Sequence, residues 1–222
     1  MNWAVFLVPL LLLMTVSPAH ATPLLPGGTV VPGSLGYSGG TLADTGLVSY
    51  SFGGGTQTGT VRELVVANTL NPLGAGDLAF VFQVHVTTGD ITTVSSGSYR
   101  DNAFSAFLTD IEQSAGLAPL ITTGVHTAAD AHRSSTGQTV DFDFIPEIDF
   151  GGTPGAVDTS VALIVNTNAT IFTSGFIGLQ DTGATQVNGF APATATPEPG
   201  SLLSLGAALI GLFAVNLKRK KA

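Results

Sequence analysis

Hydrophobic and polar residues alternate through the middle of the chain with a period of two. The clearest stretch, Thr139–Phe150, reads TVDFDFIPEIDF. One parity holds Phe142, Phe144, Pro146, Ile148 and Phe150, and the other holds Asp141, Asp143, Ile145, Glu147 and Asp149. Successive strand side chains point to opposite faces, so this predicts a half-buried strand with its aromatics inward and a bend at Pro146. The same reading predicts strands at Leu47–Phe52, Thr60–Ala67, Leu78–Thr87, Ile91–Ser98, Thr159–Thr167, Thr170–Gly178 and Thr185–Phe190. Turn-forming clusters such as Asn71-Pro72-Leu73-Gly74 and Asp181-Thr182-Gly183 separate them. The one helix predicted within this region is a weak one over Ala103–Gly116. Many short strands at regular spacing, without a repeat of fixed period, indicate an all-β protein. The expected architecture is an antiparallel β-sandwich, jelly-roll-like or immunoglobulin-like, of unspecified strand order.

Periodicity stops at both ends. Residues Ala4 to Val16 are almost continuously apolar, and Ser17-Pro18-Ala19-His20-Ala21 follows. The run is too short to span a bilayer, and Ala19 and Ala21 form the small-x-small pattern of a signal-peptidase site. Residues 1–21 therefore read as a secretory signal, with Thr22 the first mature residue, although no Lys or Arg precedes the apolar run. Residues 22–46 are rich in Gly and Pro, an arm that is mobile or covers a sheet edge. The sandwich domain is expected over 47–190, followed by a linker over 191–200. Residues 201–217 form a second apolar run, expected as a C-terminal transmembrane helix. A helix over Leu202–Leu217 reaches about 24 Å, slightly short of a 30 Å hydrocarbon core, which local thinning and lysine snorkelling can accommodate. The basic tail at 218–222 contains Lys218, Arg219, Lys220 and Lys221, a stop-transfer cluster that stays cytoplasmic and leaves the domain outside.

Directly before the second apolar run stand Pro197, Glu198, Pro199 and Gly200. Pro-Glu-Pro, apolar helix, basic cluster and chain end, in that order, resemble the PEP-CTERM sorting signal of Gram-negative bacteria. The resemblance covers the chain from Thr196 or Pro197 to Ala222. It implies that Pro197, Glu198 and Pro199 are recognised by an exosortase, a membrane-embedded cysteine peptidase that cleaves near them. It further implies an association with exopolysaccharide production, the biofilm matrix or the cell surface.

Charge divides the chain in the same places. The net charge of −8 is a sum of unlike parts: Thr22 to Thr196 holds 14 acids against Arg62, Arg100 and Arg133, a net of −11, and every Lys lies in the tail. An acidic, Lys-free domain excludes a nucleic-acid partner, which needs clustered cations. With Cys 0 there are no disulfides, thiolate metal sites or Cys nucleophiles.

Candidate chemistry is sparse. Asp141, Asp143, Glu147 and Asp149 share one strand face, where alternate carboxylates about 6.6 Å apart could share a weakly bound Ca²⁺ with a loop ligand such as Asp77. Ile145 and Pro146 occupy the third-ligand and glycine positions of an EF-hand loop, so the segment is not that motif. The plainer expectation is a solvated acidic face that discourages edge pairing. His126, Asp130 and His132 fall close together with residue types that bind zinc, but at non-standard spacing, and are expected in a loop in contact with water. His85 shares strand parity with Ala79, Val81 and Gln83. Gly36-Tyr37-Ser38-Gly39-Gly40 matches G-x-S-x-G without the strand before it and helix after it that a nucleophile elbow needs. Asn168-Ala169-Thr170 matches a glycosylation sequon that is usually silent in bacteria.

The expected protein is non-enzymatic, with no catalytic residues: exported, processed by signal peptidase and exosortase, held transiently in the inner membrane, and structural or adhesive at the cell surface or in an exopolysaccharide matrix. The alternative is an extracellular carbohydrate- or Ca-binding module, with Tyr37, Tyr50, Tyr99 or an exposed Phe as the stacking surface. A secreted hydrolase built on Ser38 is a third reading.

Overall fold

The structure is a computed structural model, and it describes residues 22–100, 107–115, 117–118, 120–149 and 158–194. The expected signal peptide, the linker from residue 195, the C-terminal apolar run and the basic tail lie outside the described residues. Among the described residues no helix is long and apolar enough to cross a membrane.

Among the described residues twelve strands follow in chain order: β1 (Thr29–Val30), β2 (Thr41–Asp44), β3 (Val48–Phe52), β4 (Gln57–Ala67), β5 (Leu78–Thr88), β6 (Asp90–Gly97), β7 (Thr109–Ser114), β8 (Asp130–Arg133), β9 (Thr139–Asp149), β10 (Ala162–Thr167), β11 (Ile171–Gln180) and β12 (Ala184–Ala193). They form two antiparallel sheets. One runs β2-β4-β5-β10-β7, with β3 also on β4, and the other runs β1-β8-β9-β6-β11-β12. Every strand expected from the alternation is present, within a few residues at its ends.

Inward-facing residues of both sheets make one core. Val61, Val65, Phe80, Phe82, Ile111 and Leu163 of the first sheet meet Ile91, Val94, Phe142, Phe144, Ile177 and Leu179 of the second. Phe82 and Phe142 pack edge to face across the gap at 5.5 Å, and Phe80 meets Tyr99 likewise at 5.9 Å. Such pairs add about 1 kcal/mol each beyond area burial. The aromatics of β9 thus point inward as their parity predicts.

Three expectations are corrected. The helix over Ala103–Gly116 is absent from the described part of that segment, which forms β7 on the edge beside β10. Ile111 faces the core while Asp110 and Glu112 face the other way, so the period is two even though Phe, Leu, Ile and Glu favour a helix in sequence. Tyr50 and Tyr99 are core residues, not a surface platform. Pro146 is exposed, because the pairing of β6 with β9 shifts between Ile91–Ile148 and Thr93–Asp143, and residues 145–147 bulge outward.

The Gly/Pro-rich segment after Thr22 is ordered against both sheets. β1 pairs with β8, β2 pairs with β4, and Leu24 is buried in the core. Along the free edge of β7, Pro23 bridges Asp110 in antiparallel sense and Gly33 bridges Glu112 in parallel sense. A second, smaller apolar cluster lies on the outer face of the first sheet, where Val66, Ala79, Val81 and Ile164 are covered by Tyr37, Leu117, Leu120 and Ile121.

Candidate functional site

The β6–β9 ladder of the second sheet carries the acidic face anticipated from sequence. The bulge at 145–147 divides it into two groups. In the first, β8 lies beside β9 so that His132 is opposite Asp141 and Asp130 opposite Asp143. The His132 ring sits between two carboxylates, Nδ1 at 3.1 Å from Asp143 and Nε2 at 3.1 Å from Asp141. Thr93 Oγ1 donates to the other oxygen of Asp143 at 2.8 Å. One ligand atom from each of Asp130, His132 and Asp143 lies within 4.8 Å of the others. In the second group, Asp90, opposite Asp149 in the ladder, converges in the same way with Glu147 and Asp181.

An open groove of about 610 Å³ runs between the two groups, lined by Thr92, Thr93, Phe144 and Pro146 as well as by the carboxylates Asp90, Asp130, Asp143, Glu147 and Asp149. Of the four predicted carboxylates, Asp143, Glu147 and Asp149 line this groove, whereas Asp141 binds His132 beside it. Asp77 lies between β4 and β5 of the other sheet and does not line the groove. His132 is on a strand, not in a loop as expected. Sequence spacing suggested Asp130 as its neighbour but gave no sign of Asp141 or Asp143, which are brought in by strand pairing. His126 bridges Ser160, and His85 holds Thr159 Oγ1 at 2.9 Å, both away from the groove.

Ser38 does not sit on a nucleophile elbow. The segment is irregular, its backbone N–H donating to Asn68 Oδ1 and its carbonyl accepting from Thr69. No aromatic ring among the described residues is exposed.

Sequence reasoning missed the buried charges. Glu63 on β4 is wholly buried between the sheets, where one oxygen accepts the Phe190 N–H of β12 at 2.7 Å and the other, Oε1, has no hydrogen-bond partner. Burial pushes its carboxyl up to about 8, so it is largely protonated at neutral pH. Asp110 and Glu112 of β7 are also wholly buried, beneath the N-terminal segment. Burial raises both, with Glu112 reaching about 7 as the nearby Asp110 opposes its ionisation. Arg133 is buried too, yet every acceptor it binds among the described residues is neutral: the carbonyls of Leu24, Tyr99 and Gly137, and Thr109 Oγ1.

The strand order ends with β12 at Ala193, and residues 195–220 match the family model of the PEP-CTERM protein-sorting motif. No curated protein and no solved structure matches the chain. The motif identifies an exported, exosortase-sorted protein that is anchored at its C-terminus before processing.

Proposed function

We propose that this chain is a structural or adhesive component of the cell surface or extracellular matrix, without catalytic activity of its own. In this reading signal peptidase removes residues 1–21, the run at 201–217 holds the chain in the inner membrane, and exosortase cleaves near Pro197-Glu198-Pro199. The observation that carries it is the sorting motif at residues 195–220, which begins just beyond the last strand of the domain. The strongly acidic, Lys-free domain supports it as well, because net charge of one sign keeps a released protein dispersed in a hydrated matrix. Intact-mass measurement of the protein in each cell fraction tests the processing. The expected species starts at Thr22 and ends near Pro199. A species keeping Lys218–Ala222 in the inner membrane as the sole product would overturn it, and Glu198→Ala should cause that species to accumulate.

A second reading, an extracellular Ca²⁺-binding module, draws on the convergence of carboxylates around the groove on the second sheet. Exposed acidic faces often converge in this way with no ion, so solvated carboxylates account for them equally. Calorimetric titration separates the two, since a Ca²⁺ site gives heat below millimolar concentration that Asp143→Asn abolishes. A carbohydrate platform has less support, because the tyrosines it would use are in the core or half-buried.

A further inference from the structure

The backbone nitrogen of Thr22 donates to Asp110 Oδ1. Thr22 is also the residue that signal-peptide cleavage would leave first. We propose that the buried carboxylates Asp110 and Glu112 are the binding site for the chain's own α-ammonium group, created at Thr22 by that cleavage. The inference rests on the processing reading above.

Asp110 and Glu112 both point from β7 to the outer face of the first sheet, and neither is exposed. Asp110 is held in a fixed polar chain. Its second oxygen accepts from Asn166 Nδ2 at 3.2 Å, Asn166 accepts from Asn68 Nδ2 at 2.7 Å, and Asn68 in turn accepts the N–H of Ser38 at 2.9 Å and of Leu70 at 3.0 Å. Glu112 accepts the N–H of Leu35 at 2.7 Å through Oε2, while its Oε1 has no hydrogen-bond partner. Gly33 lies directly against this carboxylate, and a Cβ there would collide with it. The arm thus seals two acids from water, supplies them with amide donors, and leaves the two carboxyls hydrogen-bonded to each other. Two adjacent buried carboxyls cannot both ionise cheaply: without a cation one of them keeps its proton, and a cation placed against them lets both carry charge.

In the uncleaved chain, the Thr22 nitrogen is a peptide N–H with one proton and no charge. Hydrolysis of the Ala21–Thr22 bond leaves a carboxylate on Ala21 and an amine on Thr22. The amine takes up a proton and becomes an ammonium with three donors, already placed at Asp110. Two further contacts hold the same residues: Ile111 N–H donates to Thr22 O at 3.1 Å, and Leu24 N–H to Thr109 O at 2.9 Å. Cleavage therefore turns the arm from a neutral cover into one locked by an ion pair, and ties the stability of the fold to its processing.

The test uses the chain from Thr22 to Ala222 behind a removable leader whose protease cuts directly before Thr22. Because all lysines lie in the tail, the Thr22 amine is readily distinguished by peptide mass after amine labelling. Removing the leader should raise Tm by about 5 °C. Labelling of the Thr22 amine should be about tenfold slower than in the same chain unfolded, as expected if the ion pair raises its pKa by about one unit. Asp110→Asn should abolish both effects. If that variant does not fold, the leader-on and leader-off comparison and the labelling rate of the native chain still decide. Unchanged Tm together with labelling at the unfolded rate overturns the ion pair. A different first residue in the exported protein overturns the processing reading instead, and intact mass shows which has failed.

Discussion

Replacing Glu63 by Gln removes an ionisable group from the centre of the core while keeping its shape and its bond to Phe190. Its carboxyl is raised from 4.5 to about 8 by burial, so the folded state binds a proton that the unfolded state has lost between those values. Stability then falls as pH rises. The penalty is absent below about pH 4.5, grows by about 1.4 kcal/mol per pH unit, and is complete above about pH 8. The total is on the order of 5 kcal/mol, a large share of the 5–15 kcal/mol typical of a domain. Gln has no such dependence. Near pH 5 the variant should be less stable than wild type by about 1 kcal/mol, since its amide NH₂ replaces the oxygen that has no partner. By pH 8 it should be more stable by several kcal/mol. Urea unfolding at unit intervals from pH 5 to pH 8 measures this directly, and the difference between the two proteins isolates Glu63 from Glu112, on the opposite face of its sheet. Parallel pH profiles for variant and wild type would refute the reasoning.

Arg133→Ala should cost about 3–5 kcal/mol in urea unfolding, because it strands several buried acceptors, and Arg133→Lys should recover little since an ammonium cannot reproduce the planar fork. Gly97→Ala places a methyl against the Phe176 ring and should lower stability by about 1–3 kcal/mol, with Phe176→Ala in the same chain relieving the clash. Asp44→Ala breaks the pair with Arg62, which holds the Asp44 carboxyl below its usual range. Both side chains are about one-third exposed, so the loss should be about 0.5 kcal/mol and should vanish in molar salt.

The strands could be read from sequence because burial of one sheet face imposes alternation, and β9 shows it most plainly. β7 could not, since both of its faces are buried: Ile111 under one sheet, Asp110 and Glu112 under the N-terminal segment. Carboxylates normally mark an exposed face, so their sequence pattern pointed away from burial. Glu63 was hidden in the same way, on a strand whose neighbours Val61 and Val65 face the core. The acidic face of β9 was legible as a set of charges and its interruption as a bend at Pro146, but the outward turn of that residue was not, because the form of a bulge depends on the partner strand. Strand order was likewise hidden: β6 lies between β9 and β11, and neither is adjacent to it in sequence.

The topology also sets where the two proposed processing signals would act. β7 begins at Thr109, opposite Thr167 at the end of β10, and β11 begins only four residues later at Ile171, opposite Ala193 at the end of β12. Thr22 at Asp110 and Thr194 after β12 therefore leave the sandwich from the same pole. Leu108 and Ile171 are exposed there. The six residues from 195 to 200 extend about 21 Å at most, so a chain anchored through 201–217 would hold this pole close to the bilayer. On the proposed processing, the precursor is attached at two neighbouring points. The first cut places a charge on Thr22, which already lies against Asp110, and the second releases a domain whose N-terminal edge is locked. The order of the cuts then matters physically: a chain released at Pro-Glu-Pro while residues 1–21 remain would keep Asp110 and Glu112 without a cation and would be the less stable product.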